Sequence, residues 1–152
     1  MVVGVAAWSR RCVQEAVRPV SVLLDTHFLI WLVLQSKRLT KFPWLDRYRP
    51  WGVSPVSFLE IQFLAEVGRL SVHNPDFTNK VMADARFIVD DISSVVLVRP
   101  ALELDWTRDP FDRLLVAHSL ARHIPLCTTD RLIRLHHQLL PGEITREEPV
   151  SD

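Results

Sequence analysis

From residue 20 onward, short β-branched or aliphatic runs alternate with longer stretches whose apolar residues recur at the helical period. That alternation predicts an α/β domain built on a parallel sheet. Strands are expected at 20–24, 51–54, 94–98 and 124–128, all short and mostly apolar, as strands buried on both faces should be. Helices are expected at 27–35, 55–67, 77–90, 110–122 and 130–140, with breaks near Pro75 and Pro100. A further strand signal at 143–146 makes the sheet one of four or five strands.

Several expected helices carry their own punctuation. Ser54-Pro55 supplies an N-cap followed by proline at the first helical position, and Gly68 stands where a left-handed residue would end that helix. Asp109-Pro110 repeats the start signal, and Thr129 or Asp130 can cap the last helix, which stops before Pro141-Gly142. No internal repeat or composition shift marks a second domain. Residues 1–19 read as an N-terminal extension, 20–146 as the folded domain and 147–152 as a C-terminal tail.

Composition narrows the function classes. With 152 residues and 48% hydrophobic content the chain can bury a sizeable core, so disorder is excluded as its main state. Its 18 basic and 18 acidic residues cancel, so nucleic acid could be held only through a local site and not by bulk charge. Cys12 and Cys127 form no metal-binding or redox spacing and fit a reduced, cytoplasmic protein. The apolar start Met1–Trp8 is followed by Arg10 and Arg11, which is neither a membrane span nor a signal peptide.

The informative residues are acids. Asp25 directly follows the run Val22-Leu23-Leu24, and Asp130 follows Leu126-Cys127-Thr128-Thr129, so both sit at the carboxyl end of an expected strand, where open parallel sheets bind ligands. Each could equally be an N-cap of the next helix. On a helical projection Glu60 falls within the apolar stripe of Val56, Leu59, Phe63, Leu64 and Val67, where a charge needs a partner or a cation. The alternative is a capping box with Ser57, although Ser54 is at least as good a helix start. Asp112 lies in the first turn after Asp109, favoured there by the helix dipole, and Leu115 and Val116 turn it partly toward the core.

Together the four acids suggest one pocket. At about 5 Å and an effective dielectric near 20, each like-charged pair costs roughly 3 kcal/mol, so four ionised carboxylates require countercharge or protonation. Oxygen donors without Cys or His at matching spacing favour magnesium or manganese over zinc. An ion of that kind suits activation of water against a phosphodiester.

In this order, Leu23-Leu24-Asp25-Thr26-His27 with Trp31, Val53-Ser54-Pro55-Val56-Ser57-Phe58-Leu59-Glu60 running to Gly68-Arg69-Leu70, Asp109-Pro110-Phe111-Asp112-Arg113-Leu114-Leu115, and Thr128-Thr129-Asp130-Arg131 resemble the PIN-domain ribonucleases. They are most similar to the VapC toxins of bacterial toxin–antitoxin systems. The resemblance implies a PIN-like three-layer sandwich and a homodimer with a cognate antitoxin. It also implies an Mg²⁺- or Mn²⁺-dependent endoribonuclease that hydrolyses RNA through metal-activated water. Carried over residue by residue, it makes Asp25, Glu60, Asp112 and Asp130 the catalytic, metal-binding acids, with Thr128 an orienting hydroxyl and Asp109 a helix cap beside the third acid. Arg113 and Arg131, each next to an expected acid, are candidate RNA contacts.

Three further features have two readings each. Residues 37–51 carry five basic residues against one acid, interleaved with aromatics, and could track an RNA strand or form an ordinary helix and loop with aromatics packed inward. His27 could act as a base beside Asp25, but a local structural role explains its position better, and His136-His137 could bind a metal but reads better as a solvated helix face. Two other functions stay open at this stage: an RNA-processing nuclease without an antitoxin, and an interaction module whose acids merely cap helices.

Overall fold

The computed structural model describes residues 20–144. The expected N-terminal extension and C-terminal tail lie outside that range, as do residues 145–146 of the candidate fifth strand; Glu143 and Ile144 are not in a strand. In chain order the elements begin with β1 (Leu23–Leu24) and α1 (Thr26–Val33), followed by two 3-10 segments at Lys37–Lys41 and Pro43–Tyr48. Next come β2 (Trp51–Val53), α2 (Pro55–Glu66), α3 (Asn74–Ala83) and β3 (Phe87–Val89). The chain continues through α4 (Ser94–Ala101), α5 (Pro110–Arg122), β4 (Leu126–Cys127) and α6 (Arg131–His136). Among the described residues no helix is long and apolar enough to cross a membrane.

All strand pairings are parallel, in the order β3-β2-β1-β4. β1 is therefore flanked on both sides, with Gly52 N donating to Val22 O and Asp25 N to Cys127 O, each at 2.9 Å. Alternation along the strands divides the core into two layers around the sheet. Val22 and Leu24, with Trp51, Val53 and Cys127, pack among Phe28, Leu29, Ile61, Phe77 and Val81 of α1, α2 and α3. Leu23 and Leu126 face the other way, against Leu115 and Val116 of α5 and Ile133 of α6. α4 then covers α5 through Leu97, Ala101 and Ala117. The outcome is the expected three-layer sandwich.

The helix punctuation is realised: Ser54 Oγ accepts from Val56 N, the Asp109 carboxylate from Phe111 N and Asp112 N, and the Asp130 carboxylate from Ile133 N. Gly68 has φ +76°, the left-handed value its place after α2 requires. Pro75 lies in the first turn of α3 and so opens that helix, while Pro100 sits inside the last turn of α4, which ends one residue later.

Two expectations are overturned. Residues 94–98 form the helix α4, and the edge strand is Phe87–Val89, inside the segment expected to be helical over 77–90. The Val95-Val96-Leu97-Val98 run has the composition of a buried strand, but only Leu97 of the four is buried and Val95 is 67% exposed. Its burial follows Leu97 and Ala101, a spacing of four that one helix face provides. The final helix is also shorter than expected, because the chain leaves it at His136.

Gly52 marks the tightest approach within the sheet: a Cβ there would stand 2.6 Å from Val20 Cγ1 and 2.9 Å from the Val22 carbonyl oxygen. The second of these is backbone and cannot swing aside. Gly52→Ala is therefore expected to destabilise the domain by about 1–3 kcal/mol in denaturant unfolding.

Candidate active site

The sheet order reverses at β1, and the loops leaving β1 and β4 diverge there at the carboxyl edge. Asp25 occupies the N-cap position of α1, yet its carboxylate makes no capping bond. Instead Oδ2 accepts a hydrogen bond from Thr128 Oγ1 at 2.6 Å, and the same hydroxyl accepts from Asp130 N at 3.0 Å. Thr128 thereby ties the first acid to the backbone of the fourth. Asp130 does act as a cap, and so does Asp109, so the structural reading of those two is correct as far as it goes.

Glu60 is 7% exposed, while Leu59, Phe63 and Val67 are 65%, 46% and 49% exposed. Of the apolar stripe expected to be buried, Val56 and Leu64 pack partly against the core while Leu59, Phe63 and Val67 face outward, and α2 turns Ser57, Glu60 and Ile61 inward. The Ser57 capping box is also excluded, since Ser54 is the cap and Ser57 lies within the helix with its hydroxyl 2.9 Å from Thr26 Oγ1.

Electrostatics connect all four acids. Burial first, then the charge of Asp25, pushes the Glu60 carboxyl up to about 7, with the Thr26 hydroxyl and His27 opposing the rise. Asp112, half-buried on α5, is pushed up to about 7 by burial and then by Asp109, Asp130, Asp25 and Glu60. His27 Nδ1 stands 3.9 Å from Asp25 Oδ1, and the adjacent Asp25 carboxylate raises the imidazole above its ordinary pKa despite partial burial. The contact favours the charged form of the imidazole beside Asp25, which suits a structural role better than proton abstraction.

Among the described residues no three His, Cys, Asp or Glu side chains close on a single point as a ready-made metal cage. The donor set nevertheless fits a hard divalent cation. It consists of carboxylates with one hydroxyl, two of the acids resist ionisation through burial and mutual repulsion, and a dication would favour their charged forms. Mg²⁺ ordinarily keeps several waters, so a complete protein cage is not required.

Of the two arginines, Arg113 Nε donates to Thr107 O at 2.6 Å and braces the loop before α5, while Arg131 is exposed at the start of α6. His136-His137 is not a uniformly solvated pair. His136 stacks on Trp106 with centroids 4.9 Å apart, while His137 is buried, with Nε2 2.8 Å from Ser119 Oγ, and burial lowers its pKa to about 4.

A buried network absent from the sequence reading holds the site's supports together. His118 of α5 places Nδ1 2.8 Å from Ser54 Oγ and Nε2 2.7 Å from Asp90 Oδ2, while Arg122 makes a two-point contact with the same carboxylate at 2.7 and 2.8 Å. Burial alone would raise the Asp90 carboxyl, but His118 and Arg122 outweigh it and hold it at about 2. The network joins the cap of α2, which carries Glu60, to α5, which carries Asp112, and to the end of β3. Its only sequence signal is a lone histidine at 118 within the otherwise apolar run of α5.

A family model described as PIN domain matches residues 22–135. The chain belongs to the PIN-domain family. Among characterised relatives it is similar to Ribonuclease VapC22 of Mycobacterium tuberculosis (strain ATCC 25618 / H37Rv), at 28% identity over 124 residues, covering 80% of this chain and 95% of that protein. A chain of a solved toxin–antitoxin complex from Klebsiella pneumoniae superposes with a TM-score of 0.52 at 18% identity, covering 72% of this chain and 87% of that one. At that identity the likeness bears on the fold.

Two outcomes test the site's energetics. The native protein retains a proton on Glu60 that the unfolded chain releases above 4.5, so this group lowers stability as pH rises from 4.5 to about 7. In chelator, the melting temperature of Glu60→Gln relative to the wild type is therefore expected to rise between about pH 5 and about pH 8, and Mg²⁺ is expected to close the gap at the higher pH. His118→Ala, which strips the Ser54 hydroxyl and the Asp90 carboxylate of a partner, is expected to cost about 2–3 kcal/mol in urea unfolding.

Proposed function

We propose that this chain is a divalent-metal-dependent endoribonuclease, the toxin of a VapC-type toxin–antitoxin pair acting in the cytoplasm. The observation that carries the reading is the electrostatic convergence of Asp25, Glu60, Asp112 and Asp130, two of which are held near neutrality by burial and by the others. A purely structural set of helix caps does not account for it, because Asp25 makes no capping bond and Glu60 is buried in the second turn of its helix. The likeness to a VapC ribonuclease over most of both chains supports the same reading.

In this mechanism Asp25, Glu60 and Asp112 would hold Mg²⁺, or Mn²⁺, directly or through its waters. Asp130 acts at one remove, through the Thr128 hydroxyl that links its backbone to Asp25. The bound ion supplies positive charge that polarises the phosphodiester and lowers the pKa of an attacking water. Thr128 fixes the Asp25 carboxylate, Asp109 anchors the turn that presents Asp112, and Arg113 braces the loop beside it. The reaction is in-line attack of water on phosphorus with loss of the ribose oxygen of the departing strand. Arg131, exposed next to Asp130, is assigned to the RNA phosphate.

The partners in this reading are an RNA substrate, a cognate antitoxin and a second copy of the chain. Exposed apolar rows support protein partners: Leu59 and Phe63 on α2 with Val67 at its end, and Val95 and Val96 on α4 with Leu102 at its end.

Asp112→Asn is expected to lower the rate of RNA cleavage in Mg²⁺ at least about a hundredfold while leaving the circular dichroism spectrum unchanged, and chelator is expected to abolish wild-type cleavage. Undiminished cleavage by the variant would remove Asp112 from the site, and metal-independent cleavage would overturn the mechanism.

A further inference from the structure

Four of the described arginines, Arg47, Arg49, Arg86 and Arg122, are each tied to a carboxylate: Glu143, Asp46, Asp84 and Asp90. Lys37, Arg38 and Lys41 differ from them. All three are exposed on the 3-10 segment after α1, and among the described residues none has a carboxylate within ion-pair distance. In a chain of zero net charge, these three cations within five residues are a concentrated positive patch with no ion pair among the described residues.

The patch is connected to the acids by aromatic rings. His27 and Trp31, four residues apart, lie on one face of α1, with ring centroids 6.4 Å apart. His27 borders Asp25, and at the other end the Arg38 guanidinium lies over the Trp31 ring, 5.5 Å from its centroid. Phe28 and Phe42 pack against Trp31, with centroids 5.0 and 6.2 Å away, and hold the indole in place. The remaining aromatics of the segment also pack inward, Trp44 and Tyr48 partly buried against the core and Trp51 fully buried within it, so the inward-packing reading of residues 37–51 is correct for them; Trp31 itself is partly buried against the same core.

We propose that His27, Trp31 and Arg38 form a track for single-stranded RNA that leads away from the acids along α1, with Arg38 and its lysine neighbours holding phosphate and the rings stacking bases. The proposal rests on the ribonuclease reading and adds to it a place for the strand beside the cleaved bond. A polyanion approaching four carboxylates is repelled unless the adjoining surface is positive, and these three cations are joined to the Asp25 end of α1 through Trp31 and His27. Stacking on indole, imidazole or guanidinium accepts any base, so the track sets the position of the strand and not its sequence. Trp31 needs no ordering for this role, because its ring is already fixed by the packing behind it.

The test uses the full-length chain carrying Asp112→Asn, so that bound RNA is not consumed, with Mg²⁺ and a fluorescent single strand of about ten nucleotides. Adding Arg38→Glu is expected to weaken binding about tenfold and to flatten the salt dependence, whereas Arg99→Glu, the same charge change on exposed α4, should alter it less than about twofold. Trp31→Phe, which keeps an aromatic ring in the packing, is expected to remove most of the tryptophan quenching that accompanies binding. Equal losses from Arg38→Glu and Arg99→Glu, or undiminished quenching in Trp31→Phe, would overturn the track. Failure of the ribonuclease reading looks different: the wild type then cuts no RNA, while Arg38-dependent binding can persist.

Discussion

Four carboxyl groups crowd one end of a sheet whose strands are only two or three residues long. Such a cluster pushes its own scaffold apart, so the surrounding structure has to resist that push. β1 is bonded on both flanks, its terminal Asp25 is gripped by Thr128 from β4, and Glu60 is embedded in α2 beside the Thr26–Ser57 contact. The caps at Ser54, Asp109 and Asp130 fix the starts of the three helices that reach this edge. Burial first, and then the charge of the neighbouring acids, pushes the Glu60 and Asp112 carboxyls up to about 7 even with that scaffold in place.

The His118 network extends the same logic away from the edge. A neutral core could have separated α2 from α5 with aliphatic packing alone. Here an imidazole bridges the Ser54 hydroxyl and the Asp90 carboxylate, and such directional bonds allow one relative placement of the two helices where apolar surfaces tolerate several. Glu60 and Asp112 ride on those helices. Their spacing is therefore set from within the core rather than by contacts between the acids themselves.

The acids and the helix starts were legible from sequence because both depend on local chemistry. An aspartate ending an apolar run, or a Ser-Pro or Asp-Pro pair before a helical stretch, has the same meaning wherever the chain later packs. Burial direction was less legible. The Leu59, Phe63 and Val67 stripe pointed to a buried face, and the Val95–Val98 run to a strand, because composition reports affinity for an apolar environment without saying whether this chain supplies it. β3 escaped notice because its three residues follow α3 after a short turn, with Asp84 and Arg86 closing the connection through side-chain bonds that no periodicity displays. The His118 network spans 28 residues on one side and 64 on the other, beyond the reach of any local pattern.

The bond between Thr128 and Asp25 joins residues 103 positions apart. At ribosomal rates of about 5–20 residues per second, on the order of 5–20 s separate the synthesis of its two ends. Through that interval the first acid has no Thr128 to hold it, and β1 has a bare edge where β4 will dock. Non-local closure of this kind comes late in folding because its loop entropy is large and nothing rewards it early. The site is thus completed by the last of the described strands, and a chain that stops short of β4 carries three of the four acids with no means of fixing the first.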